Sequence, residues 1–456
     1  MKKLYDLENF SDFKLSPALD SALERLNFIH PTPIQQHTFS KICSGKDLVG
    51  IAQTGTGKTL AYTLPLLRNL MQPPKHSPRI LILVPTRELV LQVVEGVEQL
   101  CTELPFKSIG IFGGTNINTQ KKQVDEGADI VVATPGRLYD LAISRALRLK
   151  DVQKLVIDEV DVMLDLGFRH QLINIFDVLP EQRQNIMFSA TMTSEVDQLI
   201  STFFKSPNKV STALSGTPLT NIKQYRYDVP NYNSKLNLLI HLLDSKDEMN
   251  KVLVFVDQKR IADRLFEALS LNFGNKCGVL HSNKSQNYRR NAIEEFREGT
   301  SRILVSTDVM ARGIDIDLVS HVISFNTPEF PENYMHRIGR TGRAQKQGES
   351  ILFSTKKEQE YRKQIESYMN FEIMVNPWPM EVEIAHELMP EERNIIKERY
   401  NPHKKTDKNT PGPAFHEKKE KNKKVNLGGS YRKTIAKKYK KPKTRGDKNF
   451  NRRKRK

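Results

Sequence analysis

Nearly continuous apolar runs recur along the chain at 47–52, 79–85, 107–112, 129–134, 154–158 and 185–189. Longer stretches with helical spacing separate them, such as 58–71 and 88–100. Runs without polar alternation suit strands buried on both faces. Their alternation with helices predicts a parallel sheet covered on both sides. The pattern restarts after Ser215-Gly216-Thr217-Pro218, with strands expected at 251–256, 276–280, 302–306, 321–325 and 349–353. Amphipathic helices are expected between them, at 259–272 and 286–297. After residue 367 the pattern fades: Asn376-Pro377-Trp378-Pro379 interrupts any helix, one more is expected at 381–399, and Trp378 reads as a packing anchor. The chain thus divides into an α/β domain at 1–212, a linker at 213–222, a second α/β domain at 223–370, a short extension at 371–400 and a tail at 401–456.

Charge changes the reading of the tail. Residues 401–456 carry 22 Lys and Arg against 4 Asp and Glu, which accounts for the whole net charge of +18. The other 400 residues balance 49 against 49. Without hydrophobic periodicity, this tail is expected to be disordered and to act as a tether for a polyanion. No apolar run is long enough to span a membrane, and the N-terminus lacks the apolar core of a secretory signal. Cys43, Cys101 and Cys277 fit no zinc spacing. They read as reduced thiols of a cytoplasmic protein.

Two short segments carry candidate chemistry. Ala52-Gln53-Thr54-Gly55-Thr56-Gly57-Lys58-Thr59 is a glycine-rich loop between a strand and a helix. Gly55 and Gly57 let the backbone curl its N–H groups toward phosphate oxygens. Lys58 can reach the β- and γ-phosphates, and the Thr59 hydroxyl can ligate Mg²⁺. Leu155-Val156-Ile157-Asp158-Glu159-Val160-Asp161 is a strand that ends in acids. Asp158 is placed to hold the same Mg²⁺ through water, and Glu159 to orient and deprotonate an attacking water. A surface turn or a helix cap explains either segment alone. Both at strand ends, in this order, point to a magnesium–nucleotide site.

Further motifs follow in a fixed order, and together they resemble the DEAD-box RNA helicases of superfamily 2 over roughly residues 8–370. The resemblance implies two tandem RecA-like domains that use ATP and Mg²⁺. Phe28-Ile29-His30-Pro31-Thr32-Pro33-Ile34-Gln35 is similar to the adenine-recognition motif. There Gln35 would pair with the base, Phe28 would stack on it and Phe10 would support Gln35, while Asn27 replaces the usual glycine. Pro85, Thr86 and Arg87, then Gly114, then Thr134 and Arg137, match the family's RNA-backbone contacts in the first domain. Gln286, Arg289, Thr307 and Arg312 match those in the second. Gly313 and Asp315 would face the nucleotide. Arg340 and Arg343, in His336-Arg337-Ile338-Gly339-Arg340-Thr341-Gly342-Arg343, would be arginine fingers. Ser189 and Thr191 would couple hydrolysis to strand separation, and His336 would link its motif to theirs and to the acidic motif across the cleft.

One departure is internal to the namesake tetrad, where Val160 replaces alanine. Its two extra methyl groups could overpack the acids and slow the enzyme. Activity is still expected, because all three acids are kept. The expected reaction is ATP-dependent opening of short RNA duplexes with little sequence preference. An RNA clamp or chaperone without catalysis, and a DNA translocase, are the competing readings. The tail is similar to those of bacterial accessory helicases, which makes ribosomal precursors or mRNA-decay complexes the expected setting.

Overall fold

Alternate residues of a strand face opposite sides of its sheet, and in this chain both sides are apolar. In the computed structural model, Leu48, Ile80, Ile82, Ile130, Val132, Val156 and Ile186 enter one core, while Val49, Leu81, Leu83, Val131, Leu155, Ile157 and Met187 enter another. The sheet between these cores comprises Leu48–Ile51 (β1), Ile80–Leu83 (β2), Ser108–Ile111 (β3), Ile130–Ala133 (β4), Lys154–Ile157 (β5), Gln184–Ser189 (β6) and Asn208–Ser211 (β7). All neighbours are parallel, in the order β3-β4-β2-β5-β6-β1-β7. The structure describes residues 9–53, 55–70, 77–212, 221–245, 249–311, 319–342 and 347–393. The tail and most of the expected linker lie outside that set.

A second parallel sheet repeats the plan with Ile222–Asp228 (β8), Val252–Val256 (β9), Cys277–Leu280 (β10), Ile303–Thr307 (β11), His321–Ser324 (β12), Gly348–Ser354 (β13) and Met374–Val375 (β14). Its order is β10-β11-β9-β12-β13-β8-β14. β8 opens at Ile222, so the last position of the expected linker belongs to this sheet, where it pairs with Gly348.

Parallel register is what builds the site. Ile51 lies beside Ser189, and Leu83 beside Ile157. The chain therefore leaves β1, β2, β5 and β6 along one edge. The Ala52 amide donates to the Ser189 carbonyl, and the Asp158 amide to that of Leu83, both at 3.0 Å.

The extension departs from expectation. No helix forms over 381–393. Instead the segment is an extended strap along the helix Tyr232–Ser245: the amides of Asn237, of Asn231 just before the helix, and of Asn233 donate to the carbonyls of Glu383, Ala385 and Glu387. Those side chains take up carbonyls that a helix would have bonded internally. Trp378 packs against the second domain's core, and its indole donates to the Val382 carbonyl at 2.8 Å.

Candidate active site

The glycine-rich loop turns at Gly55 (φ 80°) and Gly57 (φ 83°), then enters the helix Lys58–Asn69. Thr56 closes the loop by donating to the Gln53 carbonyl at 2.8 Å. The loop is braced from the Gln35 motif: Thr32 donates its hydroxyl to the Thr56 carbonyl at 2.8 Å, and Gln35 its amide to the Gly57 carbonyl at 3.1 Å. A Cβ on Gly57 would run into the Gln35 amide. Gln35 Oε1 also accepts from the Thr32 backbone at 2.8 Å. The side chain expected to read adenine is thus first a strut of the phosphate loop, with one hydrogen and one lone pair left for a base. Phe10 is a core residue packed on Phe13, with ring centroids 5.4 Å apart. Phe28 is 45% exposed, as a stacking ring must be, and Asn27 adopts a left-handed φ of 55°. Thr54 lies outside the described residues.

Opposite this loop stand the acids. Burial pushes the Asp158 carboxyl up to about 6, against the pull of the Lys58 ammonium and with help from the Glu159 charge. Glu159 holds a left-handed φ of 53° at the start of the helix Val160–Asp165. Lys58 Nζ and Glu159 Oε2 are buried, and neither has a hydrogen-bond partner among the described residues. A buried ammonium and a buried carboxylate oxygen without hydrogen bonds are costly unless a ligand supplies them. The set of Lys58, Thr59, Asp158 and curled amides fits a triphosphate with a divalent cation. Tyr62 closes the floor, fully buried and packed on Phe188 with centroids 5.7 Å apart. Val160 is fully buried among apolar side chains of its own domain, so its extra methyl groups join the core.

Asp161 carries the connection between the domains. Its Oδ2 accepts from Ala190 N (3.1 Å), Thr191 N (3.0 Å) and Thr191 Oγ1 (3.0 Å). The Ser189 hydroxyl donates to the Thr191 carbonyl at 2.6 Å. From the second domain, His336 Nε2 stands 3.6 Å from the same Oδ2, an ion-pair distance beyond hydrogen-bonding range. Burial alone would raise the Asp161 carboxyl. The His336 contact, the Lys58 charge and the Thr191 hydroxyl outweigh it and hold the group well below the usual carboxylate range.

The expected RNA contacts fall into two groups. Thr86 caps the helix Arg87–Leu100 by accepting from Leu89 N at 3.3 Å. Arg87 lies over the Phe112 ring, 4.5 Å from its centroid, and near Gly114. Pro85, Thr134 and Thr307 all sit at strand exits. Arg137 is already engaged, donating to the Thr115 carbonyl (3.1 Å) and to Gln120 (2.9 Å), so it would contact a phosphate only by giving up a bond or through a remaining N–H. Gln286 and Arg289 cross the cleft to Glu88, at 3.2 Å and 3.0 Å, and Arg289 also donates to Gln286. Arg312, Gly313, Asp315 and Arg343 lie outside the described residues. Arg340 is buried just beyond the helix Pro331–Ile338.

Three roles were missed from sequence. Glu88 sits inside a quoted motif, but its partners come from another domain. Asp161 belongs to the acidic motif that His336 is expected to reach, but which of the acids meets it is visible only in the structure. Arg337 is fully buried, clamping both Asp308 oxygens (2.6 and 2.7 Å) and the Asn326 carbonyl (2.6 Å). Its two-pronged fit to a carboxylate next to Thr307 was detectable only as an arginine among glycines.

Comparison with known proteins agrees with this geometry. Residues 32–199 match the DEAD/DEAH box helicase family, and 234–345 the helicase conserved C-terminal domain. Over 357 residues the chain is 38% identical to the DEAD-box ATP-dependent RNA helicase CshA of Bacillus subtilis (strain 168), spanning 78% of this chain and 72% of that protein. S. cerevisiae Dbp5 bound to RNA and ADP BeF3 aligns with a TM-score of 0.74 at 30% identity, over 81% of this chain and 96% of that one. Mss116p bound to ssRNA and AMP-PNP aligns with a TM-score of 0.74 at 29% identity, over 82% and 79%.

Proposed function

Because the chain belongs to the DEAD-box family of ATP-dependent RNA helicases, we propose that it opens short RNA duplexes by closing its two domains on ATP and a single strand. The observation that carries this is the shared Asp161 carboxylate, held by Thr191 from one domain and faced by His336 from the other. Loss or gain of the γ-phosphate beside Asp158 and Glu159 is then felt across the cleft.

In this reading the amides of 55–57 and Lys58 hold the phosphates, while Thr59 and Asp158 hold Mg²⁺. Bound there, Mg²⁺ supplies charge neutralisation of the β- and γ-oxygens. Glu159 orients the attacking water and accepts its proton. Arg340 and Arg343 supply positive charge to the transferring phosphoryl, with Gly313 and Asp315 on the nucleotide's other side. Gln35 and Phe28 select adenine, from the loop strut described above. Thr86, Arg87, Gly114, Thr134, Thr307 and Arg312 hold backbone phosphates and 2′-hydroxyls, which favours RNA over DNA and gives little sequence preference. The basic tail adds salt-sensitive affinity for structured RNA. Ribosomal precursors and mRNA-decay complexes are the settings this chemistry suits.

The test is steady-state ATP hydrolysis with single-stranded RNA, with the matching DNA, and with Glu159→Gln. Stimulation by RNA alone, abolished by the substitution, is expected. Hydrolysis indifferent to RNA would refute the reading.

A further inference from the structure

We propose that a second phosphate-binding site for the RNA strand lies on the second domain, and that the carboxylate of Glu391 occupies it in this chain. The proposal rests on the helicase reading and adds a site and its internal competitor.

A cavity of about 240 Å³ opens at the carboxyl ends of β9, β12 and β13, bordered by Tyr232, Lys235, Arg260, Arg264, Asn326 and Lys357. β9 pairs directly with β11, whose last residue is Thr307. With strands about 4.8 Å apart, the cavity lies on the order of 10 Å along the same sheet edge from that expected RNA contact. A strand passing Thr307 reaches it without leaving the surface.

The lining asks for a ligand. Tyr232 is 8% exposed, and its hydroxyl is buried without a hydrogen-bond partner among the described residues, as is Asn326 Oδ1. Burial lifts the Tyr232 hydroxyl to about 12, so it keeps its proton and donates. A phosphate oxygen accepts from it, and a ribose 2′-hydroxyl can donate to Asn326. Lys235 is neutralised by Glu358 at 2.8 Å, which leaves Arg260, Arg264 and Lys357 as the cations at the mouth.

The strap delivers an acid to that mouth. Beyond the three asparagine contacts, Glu392 accepts from the Tyr232 backbone at 2.7 Å. Next to it, Glu391 offers one oxygen to both Arg260 (3.1 Å) and Arg264 (3.5 Å). The Arg260 side chain is 78% exposed, so this contact is screened and weak. A phosphate has more oxygens to give and serves both guanidiniums better. Displacing Glu391 requires no unfolding of the strap, which stays anchored at Trp378.

The experiment is binding of labelled single-stranded RNA to the full chain with a non-hydrolysable ATP analogue, across a salt series. The lone Trp378 reports that the strap remains docked in each variant. Glu391→Gln should tighten binding about threefold. Arg260→Ala should weaken it and flatten the log–log salt slope by about 0.7, one phosphate contact on a single strand. Tight wild-type binding with neither variant altering affinity or slope would overturn the proposal and assign the cavity to an acidic peptide. No analogue-dependent binding by the wild-type chain would overturn both this proposal and the helicase reading.

Discussion

Asp161 Oδ2 and His336 Nε2 stand 3.6 Å apart, one from each domain, both almost fully buried. Asp161 Oδ2 keeps three hydrogen bonds from its own domain, which hold it in place without the histidine. Its carboxyl is held below the ordinary range, so the stability it contributes is complete above a pH of about 3.9 and is lost only in acid, as pH falls through the folded-state pKa.

His336→Ala should therefore leave ATP binding within about threefold while lowering RNA-stimulated kcat by about tenfold or more, since an interaction made on closure is removed. Equilibrium nucleotide binding and steady-state hydrolysis separate the two. An equal loss in both would mean His336 holds ATP rather than the closed state.

Glu88 is the second bridge. With Arg289 at 3.0 Å and Gln286 at 3.2 Å, it links the domains on the RNA side of the cleft. Glu88→Gln should raise the RNA concentration for half-maximal stimulation several-fold. A double-mutant cycle with Arg289→Lys should give a coupling of about 0.5–3 kcal/mol. Additive effects would dissolve the bridge.

Gly57→Ala tests the loop strut. The position is left-handed and the added methyl meets Gln35. Backbone strain alone costs about 1–2 kcal/mol. ATP affinity should fall about tenfold or more, because one kcal/mol-scale shift of the loop misdirects several amides at once. Calorimetric titration measures it.

Arg337→Ala removes one partner of a buried, two-pronged ion pair with Asp308. Such losses cost about 3–5 kcal/mol. Asp308 is partly open to water, which places the expected value near the lower end. Urea denaturation should show the second domain unfolding first in this variant.

Strands with unbroken apolar runs were legible in sequence because their burial is two-sided and local. β8 was not. Its Ile222-Lys223-Gln224-Tyr225-Arg226-Tyr227-Asp228 mixes charges into the strand, and the buried polar members meet partners distant in sequence: Gln224 accepts from the Tyr334 hydroxyl at 3.0 Å, and Arg226 faces Glu366 at an ion-pair distance of 3.7 Å. The strap was misread for the same reason, since its carbonyl partners belong to another helix. Motif chemistry was legible wherever backbone conformation was demanded, as at Gly55 and Gly57. Gly342 is a further case: a left-handed φ of 68° lies against Ile222, where a Cβ would come within 2.6 Å. The role of Glu88, which depends on partners from the other domain, had no local signature.

The most direct test of the whole account is strand displacement from a short RNA duplex carrying a single-stranded extension. With ATP and Mg²⁺ the duplex should open, Glu159→Gln should not open it catalytically, and the corresponding DNA duplex should stay closed. An intact RNA duplex under conditions where the chain binds both ATP and RNA would contradict the account, and would leave a nucleotide-gated RNA clamp in its place.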